Sequence, residues 1–344
     1  MPDNTSLKGR AAGSGAAVLF VLGMHRSGTS AFTRGIGVLG ANFGNRLMCA
    51  REDNPKGFYE DGDFNRLHLE MFESIGMPWC RLTPLLPAEI DELERSGFAE
   101  AAAVLLREKM NSVGFCVLKH PRMAKVFPFW QRVLARENID AMCLLALRHP
   151  LSVAASLSRR DGLGKLYSCL MWLAHIVPLL GAPPPRRTIV SEYDTLLNNP
   201  VQEMRRIGNF FGMEPDEGAL EEYHRDFLDK NLRHSRFTTA DLRKDEEIPD
   251  LVLKVYDHLS KCARDLSDLQ NAETAALVQE WNREFFSLFP LLREIESLTS
   301  EHQRRSILLA NAERELSWRE KSLSWRMTKP LRSAASKWNR IVSG

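Results

Sequence analysis

The residues with the most chemical content stand early, in the stretch VLGMHRSGTS at 21–30. Gly23, four residues, then Gly28, Thr29 and Ser30 keep the spacing of a nucleotide-binding loop. In such a loop glycines let backbone N–H groups curl around phosphate at a helix N-terminus. A nucleoside-triphosphatase loop also places a Lys before its Ser/Thr to reach the β- and γ-phosphates; Thr29 occupies that place here. The nearest cation is Arg26, three residues earlier. The loop therefore offers backbone donors, the hydroxyls of Ser27, Thr29 and Ser30, and one positive charge. It is built for an anion.

Two further groups have the same character. The stretches LKHPR (118–122) and LRHP (147–150) each close a short apolar run with basic residues and a proline. A triphosphatase needs an Asp at the end of an apolar strand to hold Mg²⁺. Lys119, Arg122 and Arg148 stand here instead. Cations repel a metal and attract phosphate or sulfate, so the expected ligand is a multiply charged anion bound without metal.

These groups need a scaffold that brings them to one edge. Stretches at 17–22, 114–123, 141–150 and 187–193 read as buried parallel strands, the middle two ending in basic residues and a Pro. Helix-compatible stretches follow them, one starting after the NNP at 198–200 and ending near Gly212, and a helix is expected over roughly 87–112. The alternation predicts an α/β fold, a P-loop-type parallel sheet flanked by helices, with a C-terminal helical extension. Ligands of such sheets sit at the carboxyl ends of the strands, where all three basic groups fall. The expected division is a flexible N-terminus (1–15), a P-loop-like domain (16–240), a helical extension (241–300) and a basic helical or coiled-coil tail (301–344).

With 344 residues, 44% hydrophobic and 26% charged, the chain has the composition of a globular protein with ample core. Six scattered cysteines without a CxxC pair predict reduced thiols, no disulfides and no zinc. Lys8 and Arg10 precede the first apolar run, but that run leads straight into the anion loop, so export is not expected and the protein is placed in the cytoplasm. The apolar stretch at 167–182 carries His175 and Pro178 and falls short of the ~18 residues of a membrane span, which predicts a buried helix.

The loop, the strand ends and their intervals resemble the sulfotransferases that use 3′-phosphoadenosine 5′-phosphosulfate (PAPS). HRSGTS is similar to the family's 5′-phosphosulfate loop, with Arg26 as its basic residue. In RHPLSVAAS, Arg148 and Ser156 match the strand-end Arg and the Ser eight residues on that reach the donor's 3′-phosphate. SEYDTLL carries the Tyr-acidic-Leu pattern at Tyr193. NPKGFYE, ending at Glu60, resembles a motif of bacterial members; KHPR departs from their KDPR by placing His120 where Asp is usual. MWLAH, Trp172 to His175, resembles a helix of the same group. The similarity spans about 18–240. It implies PAPS as co-substrate, no metal, and donor contacts from Arg26, Ser27, Gly28, Thr29, Ser30, Arg148, Ser156 and Tyr193.

Sulfuryl transfer also needs a base for the acceptor hydroxyl. Glu60 leads, His120 follows, and Asp61 and His68 remain candidates; Arg26 is assigned to the reacting end of the donor. His175 is either a core residue or part of the acceptor site, and Tyr193 either stacks on adenine or fills core. Lys230, Arg233 and Arg236 are candidates for closing over the 3′-phosphate.

The charge is uneven. Net charge is +2, yet residues 304–344 hold ten Lys/Arg against three Glu. Leu309, Leu316 and Leu323 fall a heptad apart, with Arg305 and Arg319 on the alternate seam positions. Basic residues interleaved with Trp over 321–344 suit an anionic membrane surface, and the helix before them suits a homo-oligomer. Nucleic acid is not an expected partner, since no aromatic binding module accompanies the charge. The ending SLSWRMTKPLR resembles C-terminal stretches of bacterial surface-polysaccharide enzymes, which points to a carbohydrate acceptor in a cell-surface glycan or its precursor. Two other readings compete: a P-loop kinase with a displaced cation, and a non-catalytic nucleotide-binding scaffold docking through its basic tail.

Overall fold

The four apolar runs become strands β1 (Ala17–Leu22), β2 (Phe115–Lys119), β3 (Asp140–Leu147) and β4 (Arg187–Glu192). All pair in parallel, in the order β2-β1-β3-β4. The computed structural model describes residues 17–41, 43, 46–49, 57–110, 115–181, 185, 187–228, 237–322, 325, 327–328, 330–332 and 338. Parallel strands covered on both faces must be apolar at every position, and apart from their first one or two residues these are buried throughout. The register sets Val21 beside both Lys119 and Leu144, and Leu147 beside Glu192. The strand ends carrying Gly23, Lys119 and Arg148 therefore share one edge.

After β1 come α1 (Thr29–Val38), α2 (Gly62–Ser74), α3 (Pro87–Arg95) and α4 (Phe98–Met110). Between β2 and β3 lies α5 (Met123–Glu137), and between β3 and β4 lie α6 (Pro150–Asp161) and α7 (Lys165–Gly181). Then follow α8 (Tyr193–Asn198), α9 (Pro200–Phe211) and α10 (Glu217–Glu222), the last running into a π-helical turn at Tyr223–Phe227. The chain continues through α11 (Thr239–Lys244), α12 (Asp250–Cys262), α13 (Ala272–Ser287) and α14 (Phe289–Lys321).

Leu19, Val21 and Leu144 turn one sheet face to Phe32 and Ile36 of α1 and to Met204 and Ile207 of α9. On the other face Phe20 meets Phe127 and Trp130 of α5 at ring distances of 5.3 and 6.3 Å. Such aromatic pairs add about 0.5–1.5 kcal/mol beyond the area they bury. The chain leaves β1 for β2 on one side, then crosses to β3 on the other. Open parallel sheets bind their ligands at such a reversal, and here it falls at the carboxyl end of β1, where the anion loop begins.

The apolar stretch expected to be buried lies, over its described residues 167–181, in α7, a core helix packed on α5, α6, α12 and α13. No single described helix is long and apolar enough to cross a membrane. The helix expected over 87–112 is two helices, broken where Gly97 adopts φ 84°. Contacts divide the chain into two units, Met1–Phe289 and Pro290–Gly344. The helices α11 to α13 belong to the first, with α12 packed on α7 and β4. In α14, Leu298, Ile307, Leu309, Leu316 and Trp318 are all exposed; Leu323 and most of 333–344 lie outside the described residues.

Candidate active site

The anion loop leaves β1 under tight steric constraint. A Cβ on Gly23 (φ 146°) would lie 2.7 Å from the Ala146 carbonyl oxygen of β3. Gly28 caps α1 in the left-handed region (φ 81°), and a Cβ there would stand 2.1 Å from Cδ2 of Tyr193. Only glycine fits beneath that ring. Arg26 is also left-handed (φ 67°), which costs an L-residue roughly 1–2 kcal/mol. Arg148 holds this turn in place: its Nη1 donates to the Arg26 carbonyl at 2.7 Å. The Ser27 hydroxyl is buried in the loop without a protein hydrogen-bond partner, as an anion-binding hydroxyl would be.

Around this loop the structure collects residues that lie far apart in the chain. Arg26 Nε donates to Ser156 Oγ at 2.9 Å, and the Arg148 guanidinium stands 4.8 Å from the centre of the Tyr193 ring. Ser156 reaches the loop because α6 starts only at Pro150, so two loop residues precede the helix and swing Arg148 onto the same side. His149 caps α6, accepting the Leu151 N–H at Nδ1 and donating from Nε2 to the Thr238 carbonyl. Burial pushes it down to about 4, so it is neutral near pH 7. The resemblance separates Arg26, at the 5′ end of the donor, from Arg148 and Ser156 at its far end; here they touch, because the left-handed turn at Arg26 directs its side chain toward α6.

The opposite wall holds Glu60. Its Oε1 accepts from Lys119 Nζ at 2.7 Å, and the same ammonium donates to the Phe58 carbonyl (3.1 Å) and to Ser30 Oγ (3.2 Å). Both members of the pair are buried. Burial lowers Lys119 from its ordinary value while Glu60 works to raise it. Glu60 thus reaches the loop hydroxyls through a cation at the end of β2. Asp61 is turned away: it caps α2 through the N–H groups of Asp63 and Phe64 and pairs with Lys109 at 2.7 Å.

The other candidate bases have structural partners. His120 Nδ1 accepts the Arg122 N–H at 3.3 Å, so Nε2 carries the proton and donates to Asn65 Oδ1 at 3.1 Å. His68 Nε2 accepts from the Trp130 indole at 2.9 Å, and burial holds the ring down to about 3. In this arrangement neither His120 nitrogen is left for an acceptor hydroxyl. His175 is wholly buried on α7, donating from Nδ1 to the Met171 carbonyl at 2.7 Å. Its ring stands 5.8 Å from that of His25, which in turn stands 5.4 Å from Trp79.

No family model matches the chain, and no curated protein matches it. The solved structures it is similar to include sulfotransferases. They include the sulfotransferase domain of the Synechococcus PCC 7002 olefin synthase (TM-score 0.38, 16% identity, 82% of this chain and 98% of that one). A Mycobacterium tuberculosis sulfotransferase is similar at TM-score 0.39 and 14% identity, over 72% of this chain and 76% of that one. Retinol dehydratase, solved with androsterone and the inactive cofactor PAP, is similar at TM-score 0.31 and 13% identity, over 79% and 81%. Likeness this low leaves every residue assignment to rest on the geometry of this chain.

That geometry assembles Arg26, Ser27, Gly28, Arg148, Ser156 and Tyr193 in one place, with Thr29 and Ser30 opening α1. Lys230, Arg233 and Arg236 lie outside the described residues. Sequence reasoning places Lys119 on the ligand edge but not as the partner of Glu60, and it passes over His25 and Trp79. The first has a signal, a lysine closing an apolar strand on the ligand edge; the other two have none beyond proximity. Glu192 closes β4, and its carboxylate accepts the Tyr256 hydroxyl. Among the described residues no group of three or more His, Cys, Asp or Glu is placed to hold a metal ion.

Proposed function

We propose that the chain is a PAPS-dependent sulfotransferase acting on a hydroxyl acceptor, a carbohydrate of a cell-surface glycan or its precursor. The observation that carries the reading is the network joining the lysine-less loop to the end of β3: Arg26 to Ser156, Arg148 to the Arg26 carbonyl, and Tyr193 over Gly28. The loop N–H groups, Ser27 and Arg26 suit the 5′-phosphosulfate; Arg148 and Ser156 suit the 3′-phosphate, and donor binding exchanges the Arg26–Ser156 bond for bonds to the nucleotide. Tyr193 offers a ring for the base. In the reaction the acceptor oxygen forms a bond to sulfur as the bond from sulfur to the 5′-phosphate oxygen breaks, and the acceptor proton passes to Glu60. Arg26 and the helix N-terminus meet the charge that develops on the leaving oxygen.

The carbohydrate acceptor is supported by the likeness of the C-terminal stretch to those of surface-polysaccharide enzymes. The basic tail supports a cytoplasmic protein resting on the inner membrane face, and the exposed leucines of α14 support a homo-oligomer. Calorimetry with 3′-phosphoadenosine 5′-phosphate (PAP) against ATP tests the core of the reading. PAP should bind without Mg²⁺ and more tightly than ATP, and labelled sulfate should pass from PAPS to a cell-envelope extract. Tighter, Mg²⁺-dependent ATP binding refutes it.

A further inference from the structure

The donor-loop residues lie at the ends of β1, β3 and β4, leaving a second group beyond β1, on the β2 side. Arg122 stands there, just after β2, with its guanidinium 5.2 Å from the centre of the Phe72 ring. Its Nε is buried without a hydrogen-bond partner, and among the described residues no carboxylate pairs with it. The neighbouring cations are differently placed: Arg160 pairs with Asp161 at 2.8 Å, and Lys125 donates to the Arg81 carbonyl. A half-buried arginine loses hydration, and burial pulls it below its ordinary value with only the more distant Glu60 and Cys80 opposing. A cation in that position gains when an anion arrives.

At the end of the adjacent strand β1 stands His25, its ring 5.8 Å from that of His175. His175 donates from Nδ1 to the Met171 carbonyl, so its Nε2 is a bare lone pair, and it has no partner. His25 Nε2 is likewise buried and without a partner. Burial, then His175, Arg122, Arg160 and Lys125, hold His25 well below its usual range. His25, Trp79 and Arg122 are each partly open to solvent, so a ligand can reach them, while His175 lies beneath. The loop bearing Trp79 is pinned, by the Tyr167 hydroxyl on the Cys80 carbonyl at 3.0 Å and by Arg81 on Glu89 at 2.7 Å. This is a preformed surface.

We propose that Arg122, with His25 and Trp79 on the same strand edge, forms the acceptor subsite, and that it selects a hydroxyl compound carrying an oxyanion, of the class of sugar acids and sugar phosphates. Arg122 takes the oxyanion, and the partly open rings of His25 and Trp79 bound the acceptor beside the anion loop. Neighbouring strands stand about 4.8 Å apart, so Arg122, beyond β1 from Arg148, is separated from the 3′-phosphate site by two strand spacings. The inference rests on the sulfotransferase reading, and the experiment separates the two.

Protein saturated with PAP is titrated calorimetrically with methyl glucuronide, glucose 6-phosphate and methyl glucoside at one ionic strength. At least one charged probe should bind roughly tenfold more tightly than the glucoside. The carboxylate and phosphate arms show which oxyanion the site prefers. Arg122→Gln should remove the preference and Arg122→Lys should keep part of it, both with PAP affinity within about twofold of the parent. Equal binding of charged and neutral probes, or no binding of either charged probe, overturns the subsite. A tenfold loss of PAP affinity in Arg122→Gln assigns the arginine to the donor and overturns it also. Failure of PAP to bind the parent protein refutes the sulfotransferase reading instead.

Discussion

The two walls of the site spend positive charge in opposite ways. On the donor wall the hydrogen bonds described for Arg26 and Arg148 run to a hydroxyl and a backbone carbonyl, and Arg148 also lies against an aromatic ring. These bonds fix the two guanidinium groups beside the loop and the end of β3. On the other wall the Lys119 ammonium is bonded to the Glu60 carboxylate in a buried pair. There the cation serves the protein, tying the Glu60 carboxylate to the Ser30 hydroxyl of the loop. On the proposed function, one wall binds the donor and the other accepts the acceptor's proton.

That contrast breaks most sharply at Glu60. Glu60→Gln should keep near-normal affinity for PAP while turnover falls by about a hundredfold or more, the usual range for loss of a general base. Transfer assays beside PAP titrations check it. If Glu60→Gln stays active while His120→Ala is dead with nucleotide affinity intact, the base is His120, and the bonds to Asn65 and the Arg122 N–H must open during turnover. Lys119→Met should be costly in a different way. Removing one partner of a buried ion pair typically costs about 3–5 kcal/mol, so a lowered melting temperature should accompany the loss of activity. Retained stability would mean that the pair is weaker than its geometry indicates.

The donor wall should give smaller and more selective effects. Arg26→Ala removes a charge-assisted contact worth about 1.5–3 kcal/mol, so turnover should fall at least roughly ten- to hundredfold. Normal turnover would remove Arg26 from the mechanism. Arg148 is assigned to a phosphate that does not change during reaction, so Arg148→Ala should act mainly on donor affinity. It should also blur the difference between PAPS and its analogue lacking the 3′-phosphate. A turnover defect at saturating donor would place Arg148 at the reacting end, as its bond to the Arg26 carbonyl allows.

The donor wall is largely legible in the sequence because each part has a local signature. Val18 to Leu22 and Met142 to Leu147 are apolar without interruption, as strands covered on both faces must be, and the glycines and basic residues follow directly. Pro200 and Gly212 bound α9 as a proline at the first turn and a left-handed cap do elsewhere. The other wall is less legible. Glu60 and Lys119 are 59 positions apart, and nothing in either stretch announces that a strand end will meet the loop before α2. His120 resembles a base in the sequence because a histidine beside a basic strand end has the right chemistry. That its two nitrogens go to Asn65 and a backbone N–H is decided by packing between α2 and α5. The break at Gly97 is hidden for a simpler reason: both halves keep an apolar helical period, and one glycine inside such a pattern is tolerated.

The smallest effect per group is one of pH. His68 and His120 on the β2 side, His25 in the loop after β1, His175 on α7 and His149 at the end of β3 are all held below their ordinary range, chiefly by burial. A histidine neutral in the folded state but free to protonate when unfolded stabilises the fold fully above its unfolded pKa, about 6.5. That contribution is lost as pH falls from there toward the folded value, which for His68 is about 3 and for His149 about 4. Each such group can withdraw up to about 1.4 kcal/mol per pH unit across its window. Melting temperature should therefore decline steadily from pH 7 to pH 4.5, before most carboxylates protonate. His68→Phe removes one titration, and whatever packing it costs at pH 7, the slope of melting temperature against pH should become shallower. His258→Gln, at a half-exposed position away from both walls, should change the slope less. An unchanged slope in His68→Phe would mean that His68 gains no proton on unfolding, and that the buried histidines are not what ties the fold to acid.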